Sequence, residues 1–211
     1  GKRFQNSIVI PCISEFFYEN SLSRKKKIVY LGGISIWQKI DWILIHFEKI
    51  YNIDPEYHLD IITPNINEGK QLVESNIQNV KIKEHISVFS IKDRSKLPQI
   101  LAEYRFGYLL RDYNLVNYIS SPIKFAEYLS CGVNVIITDA IPHYAELISK
   151  YKCGLVLKTV NFDETSLVYD QEASYRLYKD YFSKYKLVSN YSKLISSWTL
   201  CLTICIMIIN K

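Results

Sequence analysis

Glycine and proline are scarce in this sequence, with 7 and 6 residues among 211. Collagen-like chains and disordered chains rich in these two residues contain far more of them, so both classes are excluded. The sequence also has no internal repeat and no low-complexity tract. Its composition, 48% hydrophobic and 22% charged, is that of an ordinary globular protein. A chain of this length can bury a full core, and we predict one domain.

Motifs for metals and common cofactors are also absent. The sequence has no Asp-x-Asp motif, no GxGxxG and no Walker loop, which argues against a metal, nicotinamide cofactors and NTP hydrolysis. The five cysteines are odd in number and lack metal-ligand pairing, so we interpret them as buried, reduced thiols of a cytosolic protein. The histidines are predicted to be structural or solvated. The cysteines are Cys12, Cys131, Cys153, Cys201 and Cys205, and the histidines are His46, His58, His85 and His143.

Charge and hydropathy predict neither a nucleic-acid partner nor a membrane span. The net charge is +5, but the basic residues are scattered, and the one run, 24–27, is expected to be a solvated approach to a strand. The polar start and Pro11 argue against a signal peptide, so we expect a cytoplasmic protein. The apolar run 194–209 is shorter than the ~20 residues that cross a bilayer. It favours a packed or interfacial C-terminal helix, which leaves peripheral contact with the inner membrane face open.

Short apolar runs alternate with segments of helical periodicity along most of the chain. The first run ends in Gly32 and Gly33 and is followed by apolar residues at helical spacing from Ile40 to Ile50. The runs predict strands at 28–31, 58–62, 80–83, 87–89, 106–110, 133–137 and 154–157. Helices are predicted at 67–76, 95–104, 122–130 and 142–149, and one long helix at 169–187.

This alternation predicts an α/β fold, a Rossmann-like parallel sheet sandwiched by helices, with C-terminal helices. We divide the chain into a lead-in linker (1–27), the Rossmann-like domain (28–158) and a helical extension (159–211). Ligands of such sheets bind beyond the carboxyl ends of the strands. The loops to consider are therefore 32–39, 63–67, 89–95, 111–124 and 138–142.

The segment 120–136, SSPIKFAEYLSCGVNVI, has the residues of an anion site. Ser121 and Pro122 start a helix whose free N–H groups suit a phosphate. Lys124 lies in the first turn, where a cation is unfavourable unless an anion offsets both the lysine and the helix dipole. Glu127 shares a face with Lys124 and could accept hydrogen bonds from a ribose. The alternative is a Lys–Glu pair on an ordinary capped helix.

The same segment resembles the donor-site signature of the glycosyl transferases of group 1, a family of mostly retaining GT-B enzymes. The family pattern is Ser-Pro-x-Lys-x-x-Glu-Tyr-Leu-x-x-Gly-x-x-Val-Ile, and the likeness extends over roughly 8–157. The chain matches the pattern at Ser121, Pro122, Lys124, Glu127, Tyr128, Leu129, Gly132, Val135 and Ile136. The resemblance implies a single GT-B half-domain that binds a nucleoside diphosphate sugar.

The resemblance also implies roles for individual residues. Lys124 and Glu127 become the catalytic candidates, with Glu127 on the ribose. Two positions depart from the family: Ile119 stands where a second acid is common, and the usual phosphate-binding basic residue falls on Gln38, with Lys39 beside it. The implied substrate-binding residues fall into four groups. They are Gly32 and Gly33 in the glycine loop, Gln38 and Lys39 at the phosphates, Phe89, Ser90 and Ile91 beside the nucleobase, and Ser121, Pro122 and Ile123 around the diphosphate or sugar.

The function implied is transfer of a hexose-type sugar from a nucleoside diphosphate sugar to a glycan or lipid-linked acceptor, as in surface polysaccharide biosynthesis. The departing diphosphate would be stabilised electrostatically, without a cofactor. An N-terminal acceptor domain is missing from the sequence. The chain is therefore either part of a longer transferase or a non-catalytic nucleotide-sugar-binding module or partner subunit. A nucleotide-sugar epimerase of similar architecture is a third reading.

Overall fold

The chain forms one six-stranded parallel sheet with helices on both faces, which confirms the predicted fold class. The computed structural model describes residues 11–20, 23–158 and 164–192. The strands are β1 (Lys27–Leu31), β2 (His58–Ile62), β3 (Ile86–Phe89), β4 (Phe106–Leu109), β5 (Asn134–Thr138) and β6 (Gly154–Leu157). Their order is β3-β2-β1-β4-β5-β6, so the strand order reverses between β1 and β4. Parallel sheets bind ligands at such a switch point.

Eight helices in the described residues between 40 and 181 cover the sheet, with short 3-10 turns at Ile36–Gln38 and Arg94–Lys96. The side chains of β1 show how the two faces are filled, because Val29 belongs to one core cluster and Ile28 and Tyr30 to the other. The helices are α1 (Ile40–Ile53), α2 (Ile66–Asn76), α3 (Val80–Lys83), α4 (Leu97–Leu101), α5 (Leu115–Tyr118), α6 (Ile123–Ser130), α7 (Pro142–Tyr151) and α8 (Gln171–Tyr181).

The basic run 24–27 leads into β1 as expected and Lys25 is exposed, but the run is not solvated throughout. The Arg24 side chain is buried, and its guanidinium donates to the carbonyl oxygens of Tyr104 (3.0 Å) and Cys131. Lys27 forms an ion pair of 2.9 Å with Asp60. These contacts tie the lead-in segment to the edge of the sheet opposite the carboxyl ends of the strands, where buried carbonyl groups need donors.

Two predicted elements are wrong. The predicted strand at 80–83 is α3, because the Asn79 side chain accepts from Lys81 N (3.0 Å) and caps a helical turn. The predicted helix at 169–187 is interrupted after α8, where Phe182 packs against Phe125 (ring centroids 5.4 Å apart). The Ser183 hydroxyl then accepts from Lys186 N and begins a separate helical segment over 184–192.

The thiols and the apolar tail can be followed only in part. Cys131 and Cys153 are buried, and burial raises the pKa of both thiols to about 12, whereas Cys12 is exposed. Cys201, Cys205 and the apolar run 194–209 lie outside the described residues. Within the described part of the chain, no helix has the length and hydrophobicity needed to cross a membrane.

Candidate functional site

A cavity of about 350 Å³ opens at the carboxyl edge of the sheet, on the β1–β2–β3 side of the switch point. Its volume lies within the range of small-molecule sites, and most of its lining is apolar with a few charged groups, as is usual for such sites. Three strand ends and the first turn of α6 contribute to it. The lining residues are Leu31, Gly32, Gly33, Ile62, Thr63, Pro64, Ser90, Ile91, Arg94, Leu97, Ile123, Lys124 and Glu127.

The glycine loop after β1 brings the backbone close to Lys124. Gly32 has φ +151°, and a Cβ at this position would lie 2.0 Å from Lys124 Nζ and 3.0 Å from the Tyr30 hydroxyl oxygen. The Tyr30 hydroxyl donates to Gly33 O (2.6 Å), and Gly32 N donates to Ile62 O (2.9 Å). Only glycine combines this backbone conformation with room for the lysine.

Helix α6 is held rigidly with its N-terminus toward the cavity. The Tyr128 ring lies against Gly107, where an added Cβ would come within 2.8 Å of the ring. The Tyr128 hydroxyl accepts from Leu31 N (3.0 Å), so α6 is bonded to the last residue of β1. Because the first N–H groups of a helix have no partner within it, this end of α6 offers donors and a positive dipole to the cavity.

Lys124 reaches into the cavity from the first turn of α6. Its Nζ lies 5.3 Å from the centre of the Tyr30 ring, and among the described residues it has no carboxylate within ion-pair distance. Burial and, secondarily, the nearby Arg111 lower the pKa of Lys124 to about 8, while Glu127 opposes this shift. A lysine in this state gains from a bound anion, which would stabilise its charged form.

Glu127 lies at the inner end of the cavity, with its side chain only 4% exposed. Its Oε1 accepts from Arg94 Nη2 at 2.9 Å, and Arg94 is itself 73% exposed. Burial raises the pKa of Glu127, against the opposing effects of Arg94 and Lys124. The carboxylate therefore faces the cavity between two cations.

The structure brings together seven of the candidate residues: Gly32, Gly33, Ser90, Ile91, Ile123, Lys124 and Glu127 all line the cavity. Phe89 does not line it, and its carbonyl oxygen accepts from Thr63 N (2.8 Å). Ser121 and Pro122 are also outside the lining. The Ser121 hydroxyl bonds to the Tyr144 hydroxyl (2.7 Å) and faces a second cavity of about 510 Å³.

Gln38 and Lys39 do not line the cavity either. Lys39 forms an ion pair of 3.1 Å with Asp112, and its Nζ lies 4.7 Å from the centre of the Trp42 ring. It borders instead an open groove between α1 and α2. In this structure Lys124, rather than Lys39, is the lysine that lines the cavity.

Six lining residues were not predicted from the sequence: Leu31, Ile62, Thr63, Pro64, Arg94 and Leu97. A signal for Arg94 was available, because it lies in one of the loops that follow a strand. Asp93 holds that loop by accepting from Ser95 N (3.0 Å), which begins the 3-10 turn carrying Arg94. Its pairing with Glu127, 33 residues away, has no local signature in the sequence.

No curated protein matches the chain significantly in sequence. The fold resembles that of GT-B glycosyltransferases: AviGT4, a glycosyltransferase involved in avilamycin A biosynthesis, aligns with a TM-score of 0.65 at 11% identity over 95% of this chain and 60% of its own. TarM aligns with a TM-score of 0.63 at 12% identity over 86% of this chain and 37% of its own.

A third similar structure is the C-terminal domain of a glycosyl transferase group 1 family protein, LpcC, from Francisella tularensis. It aligns with a TM-score of 0.52 at 15% identity, over 86% of this chain and 94% of that domain. This chain thus spans 60% or less of AviGT4 and TarM but nearly the whole of the isolated domain. The family model of the glycosyl transferases group 1 matches residues 14–169, and the chain belongs to that family.

Proposed function

We propose that this chain is the donor-binding domain of a glycosyltransferase that uses a nucleoside diphosphate sugar. The observation that carries the proposal is the placement of Lys124 and Glu127 in one cavity at the switch point, beneath the N-terminus of α6. A diphosphate supplies the anion that Lys124 and the helix dipole favour. A ribose supplies hydroxyl donors for the Glu127 carboxylate.

The base would lie at the far side of the cavity, between the loops after β2 and β3. Thr63, Pro64, Ser90 and Ile91 line this part, together with Leu97 from α4. Apolar side chains there suit a planar base, and backbone groups of the two loops can read its edge. Arg94 is placed to contact the ligand, since it already reaches the carboxylate assigned to the ribose.

In the proposed reaction the bond between sugar and diphosphate breaks, and negative charge grows on the leaving diphosphate. Lys124 and the α6 N-terminus would stabilise that charge from fixed positions, which lowers the barrier without reorganisation of solvent. We propose that transfer needs no metal or organic cofactor, because these groups carry the electrostatic role. A structure of an S. aureus TarM mutant, in complex with UDP among other ligands, has the same fold with a TM-score of 0.59 at 12% identity.

We further propose a hexose-type donor sugar and a glycan or lipid-linked acceptor, with a role in surface polysaccharide biosynthesis at the cytoplasmic side of the membrane. The acceptor would be bound by an N-terminal domain or subunit. Exposed apolar side chains in two loops at the carboxyl edge of the sheet support such a partner, because exposed apolar surface often marks an interaction site. They follow β1 and β4: Ile36, Trp37, Leu115, Val116, Tyr118 and Ile119.

Thermal denaturation with a panel of UDP-, GDP-, ADP- and dTDP-hexoses tests the proposal. A donor at 100 times its Kd should stabilise the native state by about 2.7 kcal/mol, which raises the Tm by about 5–11 °C for a chain of this size. Glu127→Ala should abolish most of this shift, whereas Glu146→Ala on the exposed side of α7 should retain it. If Glu127→Ala binds the donor as tightly as the unchanged protein in calorimetry, the ribose role is refuted.

A non-catalytic nucleotide-sugar-binding module is the second candidate. Ile119, which is exposed and apolar, stands at the position where the family often has a second acid, and this observation favours it. A binding module should bind the donor without hydrolysing or transferring it, even when an acceptor-binding domain is supplied. Release of the free nucleoside diphosphate in that mixture would instead identify a catalytic half.

A further inference from the structure

A second buried cation lies near Lys124, at the end of the strand beside β1. Arg111 follows β4, is only 7% exposed, and has no carboxylate within ion-pair distance among the described residues. The neighbouring Asp112 carboxylate is directed to Lys39 (3.1 Å) and also accepts from Asn114 and Asn117. A buried guanidinium without a counter-ion is costly, since buried charges are ordinarily paired.

The backbone of Arg111 is fixed between two strands. Arg111 N donates to Thr138 Oγ1 (2.9 Å), and that hydroxyl donates to Arg111 O (2.7 Å). The guanidinium bends back, and its Nη1 donates to Leu110 O (2.7 Å). The two hydrogen bonds to β5 hold the Arg111 backbone at the carboxyl edge of the sheet, and the bond to Leu110 O turns the guanidinium away from solvent.

Arg111 acts on Lys124 as a like charge. It is the second cause, after burial, of the lowered pKa of Lys124. Burial likewise lowers the pKa of Arg111, against the opposing effects of Tyr30, Tyr128 and Asp112. The other charged or titratable groups near Lys124 are Tyr30, Glu127 and, through Glu127, Arg94. Glu127 is the carboxylate that acts directly on Lys124; it is paired with Arg94, and Glu15 acts on it as a like charge.

Resting on the donor-binding function proposed above, we infer that Arg111 is the second cation of the diphosphate site. It acts from near Lys124, which makes the contact with the phosphate oxygens. Two positive charges balance the two phosphoryl groups, and the ligand relieves the repulsion that the empty site contains. The second positive charge of the diphosphate site then comes from the end of β4. It does not come from the loop after β1, where Gln38 is neutral and Lys39 is paired with Asp112.

The test is calorimetry of the full chain with UDP, GDP, ADP and dTDP, and with the monophosphate and nucleoside of whichever base binds best. Arg111→Gln should lower the affinity for the nucleoside diphosphate by about 10-fold to 100-fold and the affinity for the monophosphate by less. The affinity for the nucleoside should not change. Arg111→Lys should restore most of the diphosphate affinity. Arg105→Gln, at the opposite end of β4, is the matched control and should leave all three affinities unchanged.

The pH profile separates an electrostatic role from a purely structural one. In the unchanged protein the diphosphate affinity should fall as pH rises through about 8, because Lys124 loses its proton in the empty site. Arg111→Gln should shift that midpoint upward, since removal of a like charge favours the protonated lysine. Two results would overturn the role of Arg111 but leave the donor-binding function standing. In the first, Arg111→Gln weakens the binding of nucleoside and of diphosphate equally. In the second, Lys39→Gln lowers the diphosphate affinity and Arg111→Gln does not. Failure of the unchanged protein to bind any nucleoside diphosphate overturns the donor-binding function itself.

Discussion

Gly32→Ala is a perturbation whose consequences can be worked out from the geometry of the glycine loop. Alanine at φ +151° is strained, because L side chains rarely adopt this backbone conformation. The new Cβ would also lie 2.0 Å from Lys124 Nζ, well inside van der Waals contact. The lysine is flexible and can move away, so the backbone strain determines the loss of stability and the lysine displacement determines the loss of binding.

The strain is worth about 1–3 kcal/mol, which for a chain of this size lowers the Tm by about 2–12 °C. Displacing the ammonium group removes a charge-assisted contact with the diphosphate and should raise its Kd by about 10-fold or more. Calorimetric thermal denaturation measures the first effect, and titration with the best-binding nucleoside diphosphate measures the second.

Gly33→Ala is the matched control, because a Cβ at Gly33 has no heavy atom within 4 Å and its φ is not positive. It should change both the Tm and the Kd much less than Gly32→Ala. Equal changes of Kd in the two variants would show that the close approach of Gly32 and Lys124 does not shape the site. An unchanged Tm in Gly32→Ala would show that alanine is not strained at this backbone conformation.

Two further predictions concern stability. His46 is buried between the Tyr108 hydroxyl (2.8 Å) and Glu164 O (2.8 Å), and burial lowers its pKa to about 4. Its neutral form therefore contributes about 3 kcal/mol to the free energy of unfolding above pH 6.5, and this contribution is lost as the pH falls toward 4. Urea denaturation at pH 7 and pH 5 should show this loss, and a stability independent of pH over that range would contradict it. Lys152, the residue after α7, has φ +56°, a left-handed conformation that strains a lysine but not a glycine. Lys152→Gly should therefore raise the free energy of unfolding by about 0.5–1 kcal/mol, and a lower urea midpoint would show that Lys152 is not strained.

The sequence was sufficient to predict most of the sheet and the principal site helix. Strands such as β4 and β5 are buried, largely apolar runs, and α1 shows its buried face as apolar residues from Ile40 to Ile50. These patterns are local and their period is set by backbone geometry, so they can be recognised from the sequence alone. For the same reason Lys124 and Glu127, three residues apart on α6, could be placed on one face without coordinates.

Only the tertiary structure determined which other residues lie beside them. Arg94, in the loop after β3, reaches Glu127 on α6, and the backbone of Arg111 is held at the end of β4 by Thr138 of β5. The sequence likewise could not distinguish Lys39, which turns to Asp112, from a phosphate-binding cation. Such pairings depend on strand order and loop direction, which bring together residues far apart in the chain and have no local period to reveal them.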